Sequence, residues 1–131
     1  MTVIVRMFLN GEGMSGGSLN AHLRDAVLIG QRLTAARYRF YSVRDEFPGL
    51  HPVPAGGVKV PGELYEVSYA VLRDELLPAE PPELELGIIE LDDGSGSLSM
   101  RMRAAALDAP GVLDISDRGG WRSYRDQLHK D

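Results

Sequence analysis

The segment Val3-Ile4-Val5-Arg6-Met7-Phe8-Leu9 runs directly into Asn10-Gly11-Glu12-Gly13-Met14-Ser15-Gly16-Gly17-Ser18. β-branched residues open it, and both faces are apolar except at Arg6. That is the pattern of a strand covered on both sides, near the middle of a sheet. Four glycines then fall within the seven positions 11–17. Such a run ends the strand. It forms a loop with unusual backbone angles, or one whose main chain closely approaches something else. A chain that starts this way builds a sheet whose central strand delivers a bare-backbone loop.

The remaining segments read mostly as strands. Ser18 is placed to cap a short helix over Leu19 to Arg24. Val27-Leu28-Ile29 opens a second strand that continues through Leu33 to Ala35, and Tyr38 to Val43 is an aromatic-rich third. Glu46 to Gly57 holds three prolines and three glycines and reads as a surface loop without regular structure. Val58 to Val67 forms the next strand, interrupted at Pro61, which suggests an edge position or a bulge. Ser68 caps a helix from Tyr69 to Leu77, with Pro78 as its stop. Leu84 to Leu91, the turn Asp92-Asp93-Gly94-Ser95-Gly96, and the alternating Leu98, Met100 and Met102 read as a hairpin with a half-exposed second strand. A final helix carries Trp121, Tyr124 and Leu128 at helical spacing, with Trp121 as a core anchor. The fold class is α+β: a small mixed, mostly antiparallel sheet curled into a barrel, with a few flanking helices.

Composition narrows the function. The 131 residues fit a single domain, 1–131, and 44% hydrophobic content suffices for a core. No cysteine is present, which excludes disulfides, thiolate metal sites and a cysteine nucleophile. The net charge of −5, with 14 scattered basic residues of which two are lysine, argues against nucleic acid as a partner. No apolar run reaches the ~18 residues of a membrane span. The start lacks a basic segment followed by an apolar one, so no signal peptide and a cytoplasmic location are expected. His22, His51 and His129 have no ligand spacing, so no metal is expected. The glycine loop lacks the Gly-Lys-Ser/Thr of a phosphate loop and the third glycine of a dinucleotide fingerprint, and no Gly-x-Ser-x-Gly occurs.

Two places remain where chemistry can sit. The first is the loop Asn10, Gly11, Glu12, Gly13, Met14 and Ser15, whose free N–H groups can converge on a carboxylate; the plainer reading is a tight connection. The second is Glu80-Pro81-Pro82-Glu83-Leu84-Glu85, where a carboxylate on a proline-stiffened segment can act as a general base if burial raises its pKa; the plainer reading is a solvated acidic connection.

The order of short motifs resembles a known family. These are Phe8-Leu9-Asn10-Gly11, Met14-Ser15-Gly16, Leu19-Asn20, Thr34-Ala35, Tyr38-Arg39-Phe40-Tyr41, Pro48-Gly49-Leu50, Gly62-Glu63-Leu64-Tyr65, Leu84 to Gly94, and Asp114-Ile115-Ser116 with Gly119-Gly120-Trp121-Arg122-Ser123-Tyr124. Together they resemble the C-terminal domain of allophanate hydrolases, within the gamma-glutamylcyclotransferase-like superfamily. The likeness spans nearly the whole chain, which leads one to expect a free-standing homologue without an amidase domain.

The resemblance implies a small mixed β-barrel with flanking helices. In cyclotransferases, the loop after the first strand holds the substrate's amino-acid end. A glutamate after a later helix takes a proton from the α-amine, which attacks the γ-carbonyl and releases 5-oxoproline. Asn10-Gly11-Glu12-Gly13 stands at the loop position, where the family has Tyr-Gly-Ser/Thr-Leu, so only Gly11 is kept. Glu80 stands at the place of the base, with Glu83 as the alternative. In the allophanate hydrolase branch the domain is linked to urea breakdown, acting on the small carboxylated product or ordering the assembly. The expectation is therefore a protein acting, without a cofactor, on a small carboxylate- or amide-bearing metabolite through a glutamate base. The alternatives are a non-catalytic module for a partner amidase and a small-ligand binding protein. A homodimer is an assembly open to either.

Overall fold

The structure is a computed structural model that describes residues 3–23 and 25–129. Eight strands form one curled sheet: β1 (Ile4–Leu9), β2 (Val27–Leu33), β3 (Tyr38–Val43), β4 (Phe47–Pro52), β5 (Pro61–Ser68), β6 (Leu84–Glu90), β7 (Gly96–Met102) and β8 (Val112–Asp114). Their order is β2-β5-β1-β7-β4-β3-β8, with β6 on β7. β7 runs parallel to β1 and β4, and the other pairings are antiparallel. The ends of β2 and β6 meet through the bridge Thr34↔Leu91, and Ala35 N–H donates to the Glu90 carbonyl at 3.0 Å, which curls the sheet into a half-barrel. Among the described residues no helix is long and apolar enough to cross a membrane.

The central strand is β1, as its apolar pattern requires. Met7, Phe8 and Leu9 are buried and β1 is flanked by β5 and β7. The hairpin also forms as read, with Leu86 opposite Met100 and Ile88 opposite Leu98. Its second strand differs from expectation. Ser97 and Ser99 are buried, because β7 has β6 on one side and β1 and β4 on the other. The Ser99 hydroxyl is satisfied by donating to the Phe8 carbonyl at 3.0 Å.

Four other readings change. The Pro-rich segment is not irregular: Phe47–Pro52 is β4, paired along its length with β3 but with β7 only around Leu50↔Arg101 among the described residues. A strand with one lightly used edge tolerates prolines. Pro61 begins β5 rather than interrupting it, and β5 lies between β2 and β1, not at an edge. Between Leu19 and His22 there is only a 3₁₀ turn, Asn20–His22, without a side-chain cap; the expected end at Arg24 lies outside the described residues. Pro78 does not stop the middle helix. That helix, α1, consists of Tyr69–Val71, a π turn Leu72–Leu76, and Leu77–Ala79. The wider bonds of the π turn, such as Leu77 N–H to the Leu72 carbonyl, relieve the crowding of the proline ring. Ser68 caps it as read, accepting from Val71 N–H at 3.1 Å.

The core gathers Phe8, Phe40, Leu50, Leu64, Ile89 and Leu91, sealed by Leu72 and Leu76 of α1. The last helix, α2 (Trp121–Leu128), adds Trp121 and Tyr124, whose ring centroids lie 5.9 Å apart. Trp121 is 2% exposed and is the anchor its spacing indicated.

Candidate active site

The loop leaves β1 at Asn10 and folds back through the hydrogen bonds Met14 N–H to Gly11 O, 3.0 Å, Gly17 N–H to Met14 O, 2.8 Å, and Leu19 N–H to Glu12 O, 2.8 Å. Glycine is needed at 11 because a Cβ there would meet Pro48 Cδ at 2.5 Å. It is needed at 17 because a Cβ would run into the Glu12 carbonyl. Among the described residues, the N–H groups of Gly11, Glu12 and Gly13 have no protein acceptor.

α1 ends at Ala79, and Glu80 is the first extended residue after it, its N–H bonded to the Leu77 carbonyl at 3.1 Å. This turn sends Glu80 toward the loop. Glu80 and the loop residues Asn10, Gly11, Glu12 and Gly13 line one cavity of about 30 Å³, walled by Phe47, Pro48 and Leu84. Two features mark it. Asn10 is 7% exposed and its Nδ2 is buried without an acceptor. The Glu80 carboxyl has no hydrogen-bond or ionic partner among the described residues, and burial alone pushes its pKa up to about 7. A buried amide donor and a half-buried carboxyl, both without a protein partner, therefore border the same cavity.

The other carboxylates are engaged elsewhere. Glu83 is not in this cavity. Its Oε2 accepts from Arg44 Nη1 at 2.8 Å, and that bond holds its carboxyl below the ordinary range. Glu12 lines the same cavity as Glu80. Its carboxylate turns to α2, accepting from Trp121 Nε1 at 2.6 Å and Ser18 N–H at 3.2 Å, with Arg125 at 3.5 Å. Burial pushes this carboxyl up, and those partners outweigh it and leave it below its usual value. Met14 and Ser15 do not reach the Glu80 cavity. They border an open groove of about 420 Å³ beside Trp121, Arg122 and Arg125 on the other side of the loop.

Ser15 reveals a group that the sequence reading did not single out. Its N–H and Oγ donate to Glu63 Oε1 and Oε2 at 2.7 and 2.8 Å. Tyr65 OH donates to the same carboxylate at 3.0 Å, and Arg122 Nη2 lies 3.2 Å away. Asn20 Nδ2 donates to the Gly13 carbonyl at 2.9 Å and to Tyr65 OH at 3.2 Å. Glu63 is 3% exposed; burial pushes its carboxyl up, and the Ser15, Tyr65 and Arg122 bonds outweigh that and hold it low. This network fixes the far half of the loop. Its signal was present: Glu63 shares a strand face with Tyr65 and Val67, so a carboxylate on the core side required partners. Among the described residues no cluster of His, Asp and Glu is arranged to hold a metal ion.

The curled half-barrel with its flanking helices has the gamma-glutamylcyclotransferase-like fold. An AIG2-like protein from Mus musculus shares it, at 19% identity over 82% of each chain with a TM-score of 0.62. Residues 5–126 match the allophanate hydrolase C-terminal domain, and the chain belongs to that family. A protein described as specific to uropathogenic E. coli is 30% identical, with a TM-score of 0.88 over 95% of this chain and 97% of that one. Kluyveromyces lactis allophanate hydrolase is 25% identical with a TM-score of 0.88; the match covers 95% of this chain but 21% of that much longer one. A search of curated proteins finds no match.

Proposed function

We propose that the protein is an enzyme acting on a small carboxylate- or amide-bearing metabolite, with Glu80 as general base and the Asn10–Gly13 loop as the binding element. One observation carries this reading: the unpartnered Glu80 carboxyl shares a cavity with the unpartnered Asn10 Nδ2 and the free loop N–H groups. A pKa of about 7 suits a base at neutral pH, since the proton is exchanged near the working pH. The loop N–H groups supply donors for a carboxylate or a developing oxyanion. Glu83 is set aside as the base because Arg44 holds it ionised. A cytoplasmic setting, with small molecules as ligands, completes the reading.

The test is a turnover screen of gamma-glutamyl amides and small carboxylated ureas. Glu80→Gln keeps size and hydrogen bonding but removes the base, so activity should fall by about 10²–10⁴-fold while Glu83→Gln stays active. Normal turnover by Glu80→Gln refutes the assignment. A second reading rests on the K. lactis enzyme, where the homologous domain is part of a larger chain. On that reading the protein is a module that orders a partner amidase. It predicts no turnover by the chain alone and an amidase whose activity rises when the chain is added.

A further inference from the structure

The cavity wall opposite Glu80 belongs to β4, and it is braced. β3 and β4 are joined by Arg44-Asp45-Glu46, with positive φ at Arg44 (53°) and Asp45 (57°), a conformation that side-chain-bearing residues seldom adopt. Two side-chain ties hold this turn. Asp45 Oδ1 accepts from Tyr124 OH of α2 at 2.5 Å and from Ser42 Oγ at 2.9 Å. Arg44 donates to Glu83 at 2.8 Å and lies over the Phe47 ring, 5.7 Å from its centroid. Glu83 sits three residues beyond Glu80, so Arg44 ties the wall to the segment that carries the proposed base.

Beyond the turn come Phe47 and Pro48. Pro48 lies so near Gly11 that a methyl group there would not fit, and with Phe47 it closes the cavity to about 30 Å³. A single water needs roughly 10–15 Å³ measured this way, so the space admits a group of about two or three heavy atoms. The donors around it, Asn10 Nδ2 and the loop N–H groups, call for oxygen acceptors.

We infer that Phe47 and Pro48 are the specificity-determining residues of this site. They admit the three-atom carboxylate head of a small unbranched acid such as formate or acetate and turn away a head group branched next to the carboxylate, so that of the two substrate classes above the carboxylated ureas fit and the gamma-glutamyl amides, whose α-carboxylate adjoins a branched carbon, do not. This rests on the reading of the Glu80 cavity as the binding site. The walls select by size, not charge, so two acids of equal charge and different bulk separate the ideas.

The experiment titrates acetate and then 2,2-dimethylpropanoate into the protein at pH 6, where Glu80 is mostly protonated. The readout is the amide nitrogen–proton signals of Gly11 and Gly13 and the Asn10 side-chain amide. Wild type should bind acetate at least tenfold more tightly than the branched acid. Phe47→Ala and Pro48→Ala should reduce that preference to near one. Equal binding of both acids by wild type overturns the size wall and leaves the site reading intact. So does an unchanged preference in a folded variant. If neither acid moves any of these signals, the site reading itself fails and this inference with it. Should Phe47→Ala not fold, Phe47→Leu and Pro48→Ala give the same comparison.

Discussion

Replacing Glu80 by glutamine should stabilise the protein at neutral pH and do nothing in mild acid. In the unfolded chain Glu80 titrates near 4.5, and in the fold burial pushes it up to about 7. Between those values the folded protein holds a proton that the unfolded chain has released, so raising the pH favours unfolding. At 1.36 kcal/mol per pH unit, the rise from 4.5 to about 7 corresponds to about 3 kcal/mol, present as extra stability below 4.5 and gone above 7. Glu80→Gln removes the titration and keeps the shape. Measured as urea unfolding from pH 4.5 to 8, the variant minus wild-type difference should grow from near zero to about 3 kcal/mol, or about 10 °C in Tm at the upper end. Other titrating groups cancel in that difference. A variant that is less stable than wild type at pH 8, or a difference flat with pH, would refute the claim that Glu80 is held unpaired and shielded from water.

The Glu63 network should behave in the opposite sense. Glu63→Ala strands buried donors and should cost about 3 kcal/mol in unfolding free energy. Because Glu63 and Glu12 are held below the usual carboxylate range, their contribution is present above that range and lost as pH falls through their folded values, so wild type should lose stability in strong acid. Trp121→Phe removes the N–H that Glu12 accepts and leaves a small void in the core, and should cost at least about 1.5–3 kcal/mol by chemical denaturation. Gly11→Ala drives a methyl into the Pro48 ring and should cost about 1–3 kcal/mol while shifting the loop amides in NMR spectra.

The sequence exposed what depends on local pattern. The two-sided apolar run Val3–Leu9 located the central strand, period-two alternation located the β6–β7 hairpin, and helical spacing made Trp121 a core residue. It also put the loop 10–15 and the segment around Glu80 forward as one pocket, and Asn10 to Gly13 line a cavity with Glu80 while Met14 and Ser15 do not. What it hid depends on long-range pairing. β4 looked like a loop because prolines and glycines dominate it, yet β3 supplies a complete ladder. Ser97 and Ser99 looked exposed because their polarity alternates, although three strands enclose β7. Glu63 and Ser15 stand 48 residues apart, and nothing in either neighbourhood announces the other. Glu80 was preferred to Glu83 only by its place after the helix; that Arg44, on another hairpin, binds Glu83 could not be read from the sequence.

The most direct test of the account is to follow the Glu80 side-chain carboxyl carbon and the Asn10 side-chain nitrogen by NMR in one pH titration. If both groups face one shielded cavity, Glu80 titrates near 7 and the Asn10 signal moves with the same midpoint. A Glu80 midpoint near 4.5, or an Asn10 signal indifferent to it, would contradict the site.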